Sequence, residues 1–337
     1  MLVAGTWAGV NILQFDGLSS ICCSMLRMVE HLKPATVADL DLSTSGLGPA
    51  QALAPVLGAN RDGSATAESA RGLLITVMGE LVLPGGRGAW TQTLIAVMDS
   101  LGIRDKATRQ ALARMEARNW LTRDRVGRRT RWILTDPFAQ LLDNGAERIY
   151  NFGAEKREWD ERWLVLAISV PEADRKLRYR MGNGLNWAGF GSLGHGLWIS
   201  PWTEQEPVAV DLLERLGVDA VSFRSELGEL GSGPLLARRA WDLPALRRQY
   251  EEFTELAALL DFDRDRGGFD GASAAGRLAG LVHEWRRFPF LDPDLPSALL
   301  PVDWPSPDAA ARFAQQRSML LPAARDWWTS LESNYTS

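Results

Sequence analysis

The chain is poor in the residues from which covalent and metal-centred chemistry is usually built. Of its 337 residues only two are cysteines, the adjacent Cys22 and Cys23. They allow neither a disulfide framework nor a thiolate zinc site, and a reducing cytoplasm is the expected setting. The three histidines, His31, His195 and His283, are too far apart for a close-spaced ligand signature. No apolar run approaches the roughly 18 residues of a membrane span. The N-terminus is mildly apolar, but Asn11, Gln14 and Asp16 interrupt it and no basic region precedes it, so it does not read as a signal peptide. Lysine is scarce, four of the 37 basic residues, which reads as GC-rich coding bias. No cofactor, no metal and no membrane partner are expected.

What is present is the material of a folded protein, with 46% hydrophobic and 23% charged residues. The length suits two or three domains rather than one core. The 14 Trp residues are scattered from Trp7 to Trp328, as expected of several aromatic-rich cores. A net charge of −5 argues against a nucleic-acid binder if the charge is spread evenly. It is not. Between Arg104 and Arg131 stand ten basic residues against three acidic ones, a segment of +7 within a remainder of −12.

Residues 1–68 lack sustained periodicity and read as an extension, largely disordered or weakly ordered. Within it, 24–32 suit one short helix; the extension is also what an upstream start codon would add, with Met25 or Met28 as the alternative translation start. The other reading of this extension is a small docking segment. Helical spacing begins near Ser69 with Leu73, Leu74, Val77, Met78 and Leu81, and Pro84-Gly85-Gly86 ends it. A second helix is expected after Trp90, with Thr91 as N-cap, and a third over 105–118. Residues 121–125 and 130–134 read as two strands joined at Gly127. Three helices followed by a basic hairpin is the order of a winged helix-turn-helix.

The third helix should turn Ala107, Ala111, Leu112 and Met115 inward and present Lys106, Arg109, Gln110, Ala113 and Ala117 outward. Such a helix suits a major groove, where Arg109 and Gln110 read base edges and small Ala113 permits close approach. Arg104, Lys106, Thr108, Arg109, Gln110, Arg114, Arg123, Arg125, Arg128, Arg129 and Arg131 are the expected DNA-binding set. Arg128 and Arg129, at the hairpin tip, suit phosphate or minor-groove contacts. The bland alternative is a solvated arginine-rich face.

A connecting helix or linker is expected over 137–158. Over 159–228 the order is strand, helix, strand, helix, strand, with a further strand near 190–193, which suits a ferredoxin-like sandwich. The remainder, 229–337, reads as a helical domain, with helices over 243–260, 272–288 and 308–331, the last interrupted near Pro322. The fold class expected is therefore α+β and multidomain.

Two signals are discounted. Gly189, Gly191 and Gly194 spell a dinucleotide fingerprint, but in helix-to-strand order, the reverse of what phosphate binding needs. Asp261, Asp263 and Asp265 imitate a calcium loop whose sixth and twelfth places here hold Arg266 and Ala272.

Four ordered stretches carry a family resemblance: residues 70–136, which open ARGLLITVMGELVLPGG; WLVLAISVPEADRKLR over 163–178; GFGSLGHGLWISP over 189–201; and DPDLPSALLPVDWPSPDAAARF over 292–313. In these the chain resembles the PaaX-like transcriptional regulators of phenylacetic acid degradation. The N-terminal extension is a departure from that pattern. The resemblance implies a winged-helix reader, a ferredoxin-like centre related to CRISPR-associated nucleases, and a helical C-terminal domain. It further implies a non-enzymatic homodimer on double-stranded operator DNA that represses a catabolic operon and is released by an aryl-CoA thioester. For that effector, Arg175, Arg178 and Arg180 would meet phosphates, Trp187 and Trp198 would stack on a ring, and His195 lies nearby. A nuclease-like enzyme and a non-DNA adaptor protein remain the alternatives; the related nucleases carry a metal-binding Asp at the end of the first central strand, where Ile168-Ser169-Val170 stand here.

Overall fold

A computed structural model describes residues 67–153, 157–171, 173–265 and 269–336. The expectations for residues 1–66, including the short helix over 24–32, lie outside the described residues. Helix α1 (Ala67–Val77) buries Leu73, Leu74 and Val77 and continues as a π turn, Met78–Val82. Strand β1 (Gly88–Trp90) leads directly into α2 (Thr91–Ser100). Then follow α3 (Asp105–Ala117), β2 (Leu121–Val126) and β3 (Arg129–Leu134). The three strands form an antiparallel sheet in the order β1-β3-β2. Val126 pairs with Arg129, leaving a two-residue loop in which Gly127 takes φ +60°. That left-handed conformation costs glycine little and other residues more.

Two expectations change here. Strand β1 was not anticipated, because three residues carry no period. Thr91 is not the N-cap but the first helical residue. Its hydroxyl donates to the Thr130 carbonyl at 3.0 Å and accepts from Trp132 Nε1 at 3.0 Å, which pins α2 to β3.

Helix α4 (Asp136–Asn151) connects to a four-stranded antiparallel sheet. Its elements run β4 (Arg162–Ile168), α5 (Arg175–Trp187), β5 (Gly191–Gly194), β6 (Leu197–Ser200), α6 (Glu206–Leu216) and β7 (Ala220–Glu226). The order across the sheet is β5-β6-β4-β7. Asp174 caps α5, accepting from the Leu177 N–H at 2.9 Å. Alternation along β4 sends Leu164, Leu166 and Ile168 into a core with Met181 and Leu185 of α5 and Leu213 of α6. Trp163 and Ile199 point to the other face, where they meet Ala237, Leu243 and Leu299.

The rest is helical: α7 (Gly233–Ala240), α8 (Leu243–Asp265), α9 (Gly271–Trp285), the single turn α10 (Phe288–Leu291) and α11 (Ser306–Thr336). Pro322 does not interrupt α11, as the sequence suggested. It removes one N–H donor, and the helix runs on with Leu320 and Ala324 buried on either side of it. Asp261, Asp263 and Asp265 lie within α8, not in a loop.

The largest core is shared. Leu73, Leu94, Leu112 and Phe138 from the first half join Tyr250, Leu278, Trp285 and Phe313 from the second in one cluster. At Gly276 of α9, an added Cβ would stand 2.5 Å from Ser100 Oγ of α2. Only glycine permits so close an approach of the two helices.

Candidate nucleic-acid interface

The amphipathic pattern of α3 decides which side chains reach solvent. Ala111, Leu112 and Met115 are buried against α1 and α2, while Arg104, Lys106, Arg109, Gln110, Ala113 and Arg114 are exposed. Asp105, Lys106, Arg109, Gln110 and Ala113 border one shallow hollow, so the expected base-reading pair and the small residue beside it share a surface. Asp105 holds Arg109 in an i,i+4 ion pair at 2.5 Å.

Thr108 belongs to the other side. It is fully buried, and its hydroxyl turns back to the Arg104 carbonyl at 3.4 Å. Its place in the contact set is corrected: a threonine flanked by charges reads as polar surface, but its position in the helical turn faces the core. Arg131 is also only half exposed. It lies over the Trp90 ring at 5.8 Å, and its Nε is buried without an acceptor among the described residues.

On the hairpin, Arg125 and Arg128 are exposed and, among the described residues, carry no ion pair. Arg123 pairs with Glu116 of α3 and lies 5.0 Å over the Trp132 ring, which fixes the hairpin against the helix. Arg129 is held from an unexpected quarter. Its Nη1 donates to the Tyr335 carbonyl, at the end of α11. One turn earlier in α11, Glu332 Oε1 accepts from the Trp90 N–H at 3.0 Å. No local pattern signals these contacts across more than 200 residues.

Of the residues expected to meet an effector, some face solvent and some are packed away. Arg175, Arg178 and Arg180 are exposed on α5. Trp198 is 8% exposed and sits in the central core, so it is a packing residue and not a stacking surface. Trp187 stacks on Phe290 with ring centroids 5.7 Å apart. Arg148 of α4 covers both rings at 4.9 and 4.8 Å and donates to the Pro289 carbonyl at 2.8 Å. That ring is therefore committed to joining α5 to α10. His195 is exposed in the turn between β5 and β6, at φ +52°. Among the described residues no three His, Cys, Asp or Glu side chains cluster as metal ligands, and no helix is long and apolar enough to cross a membrane.

Three family profiles match in order along the chain. Residues 69–138 match "PaaX-like protein", residues 156–237 match "PaaX protein central Cas2-like domain", and residues 241–330 match "PaaX-like protein C-terminal domain". The transcriptional repressor PaaX of Escherichia coli (strain K12) is 29% identical over 265 residues, covering 76% of this chain and 82% of that protein. Among solved structures, the uncharacterized protein Rv0674 from Mycobacterium tuberculosis is 23% identical, with a TM-score of 0.49, over 77% of this chain and 98% of that one. The ordered profiles, together spanning most of the residues from 69 to 330, carry the assignment. The chain belongs to the PaaX-like family.

Proposed function

We propose that the chain is a DNA-binding transcriptional repressor of a catabolic operon, with residues 69–136 as its reader. The observation that carries this is the outward face of α3, where Lys106, Arg109 and Gln110 surround one hollow beside Ala113. The hairpin adds Arg125 and Arg128 as exposed cations. The element order α1-β1-α2-α3-β2-β3 is that of a winged helix-turn-helix. Cations on this face displace counterions from duplex phosphates, while the acidic remainder of the chain is repelled. The repressor named in the comparison supports the same reading.

The division is read as 69–136 for the reader, 137–158 for the connection, 159–228 for a ferredoxin-like centre and 229–337 for the helical part. The sheet order β5-β6-β4-β7 with α5 and α6 on one face favours the ferredoxin-like reading. The protein acts as a homodimer in the cytoplasm. Edge strand β7 supports pairing: it is exposed along its length, with Val221 and Phe223 at 57% and 55%. An apolar edge of that kind recruits another strand unless it is covered. An aryl-CoA thioester is the proposed effector. Arg175, Arg178 and Arg180 are the phosphate partners whose exposure suits that role.

The test is fluorescence anisotropy of the full chain on its own upstream DNA against scrambled duplex, over a range of salt. Salt-dependent, sequence-selective binding is expected. Equal affinity for both duplexes sinks the reading. Phe223→Lys should shift sedimentation from dimer to monomer.

A further inference from the structure

A cavity of about 380 Å³ lies where three separate stretches of chain meet. Its size falls in the range of small-ligand pockets. The π turn after α1 brings Glu80, and the turn before β1 brings Leu83, Pro84 and Arg87. Helix α4 brings Asp143 and Tyr150, and α11 brings Arg317 and Arg325. The cavity is separate from the exposed face of α3 and from the arginines of α5.

Its polar groups are unevenly satisfied. Glu80 is 4% exposed and accepts from Arg317 Nη2 at 3.1 Å. The Arg317 guanidinium lies 4.0 Å over the Tyr150 ring, and its Nε is buried and, among the described residues, donates to nothing. That N–H is closed to solvent, so what Arg317 offers to the cavity is the rest of its guanidinium. Arg87 is engaged by Asp136 at 2.6 Å. Arg325, two turns beyond Arg317 on α11, makes no hydrogen bond or ion pair among the described residues. Arg87, Arg317 and Arg325 thus line the cavity with the carboxylates Glu80 and Asp143, Asp136 being held by Arg87, and Arg325 is the guanidinium with no hydrogen bond or ion pair among the described residues.

Guanidinium donors match the geometry of a carboxylate, and Leu83, Pro84 and the Tyr150 ring offer an apolar bed beside them. We propose that this cavity binds a small organic carboxylate. Its oxygens take Arg325 and the cavity-facing part of the Arg317 guanidinium, and its body lies against Leu83, Pro84 and Tyr150. So bound, the ligand ties α11 to the turn that enters β1.

Thermal unfolding and calorimetric titration of the full chain, without DNA, test this with benzoate and hexanoate as probes and neutral benzamide as the isosteric control. A carboxylate probe is expected to raise the unfolding temperature by a few degrees at millimolar concentration while benzamide does not. Arg325→Gln breaks no hydrogen bond or ion pair of the described structure and removes only the charge attraction of Arg325 for Glu80. It should unfold at the unliganded wild-type temperature and bind the active probe at least tenfold more weakly. The proposal is overturned if neither carboxylate acts, if benzamide acts equally, or if Arg325→Gln responds as the parent does. Because no DNA is present, this outcome is independent of the repressor reading.

Discussion

Arg129 at the hairpin tip donates to the main-chain carbonyl of Tyr335 at 2.6 Å, and its guanidinium lies 5.4 Å from the centroid of that residue's ring. The last described turn of α11 thus occupies a cation of the proposed reader. Removing residues 335–337 should free it. On duplex DNA the truncated protein is expected to bind several-fold more tightly at low salt. Its log–log salt slope should steepen by about one unit, one phosphate contact's worth. An unchanged slope would mean that Arg129 never meets DNA.

On the proposed reading, α3 and the hairpin tip make two different kinds of contact with DNA. Gln110→Ala and Arg109→Ala should each reduce discrimination between the operator and single-base variants by roughly tenfold. Arg128→Ala should weaken every sequence alike. Competition binding with a panel of single-base variants distinguishes the two. Uniform weakening by the Gln110 substitution would remove it from base reading.

His283 gives a pH dependence whose sign follows from its surroundings. The imidazole is fully buried, which holds its pKa well below the usual 6.5, and Arg286 and Arg287 depress it further. Thr76 of α1 faces Nδ1 at 3.4 Å. The neighbouring Glu284 carboxyl is raised by its own burial. His283 stays neutral in the folded chain, while the unfolded chain takes up a proton below about pH 6.5. Its contribution to stability is therefore full above that pH and falls by about 1.4 kcal/mol per unit below it. In urea titrations between pH 7 and 5.5, His283→Gln should show a shallower loss than the parent.

Tyr250 donates to Asp292 Oδ2 at 2.6 Å, and burial raises the Asp292 carboxyl to about 6 against the pull of that bond. Tyr250→Phe leaves the stacked ring in place 4.1 Å from Phe288 but takes from the carboxylate one of its two donors, the Asp294 N–H remaining at 2.8 Å. A loss of about 1–3 kcal/mol is expected from the urea midpoint. Asp292 should also titrate at a higher pH than in the parent, as carboxyl NMR would record.

Much of this architecture was legible because periodicity speaks for long elements. Leu73, Leu74 and Val77 marked α1, the almost continuous apolar run over 163–170 marked β4, and Gly127 between two short strands marked the hairpin. What escaped was of two kinds. Short or polar details were outvoted by tertiary packing: β1 has three residues, Thr108 looks like surface, and Pro322 looks like a break. The other kind depends on contacts remote in sequence. Neither the hold of Tyr335 on Arg129 nor the cover of Arg148 over Trp187 leaves a local trace. Trp198 shows why residue type alone misleads, since its burial in the central core was set by the pleat of β6.

The cluster that joins Leu94 to Leu278, with Ser100 pressed on Gly276, bears on how the chain can be taken apart. The first seventy described residues are no detachable cassette. Grafted onto a different effector half, or expressed alone, they would present α1 and α2 to water with the matching surface missing. A hybrid regulator made from this chain will have to carry α9 along with α1 and α2, and its seam belongs elsewhere.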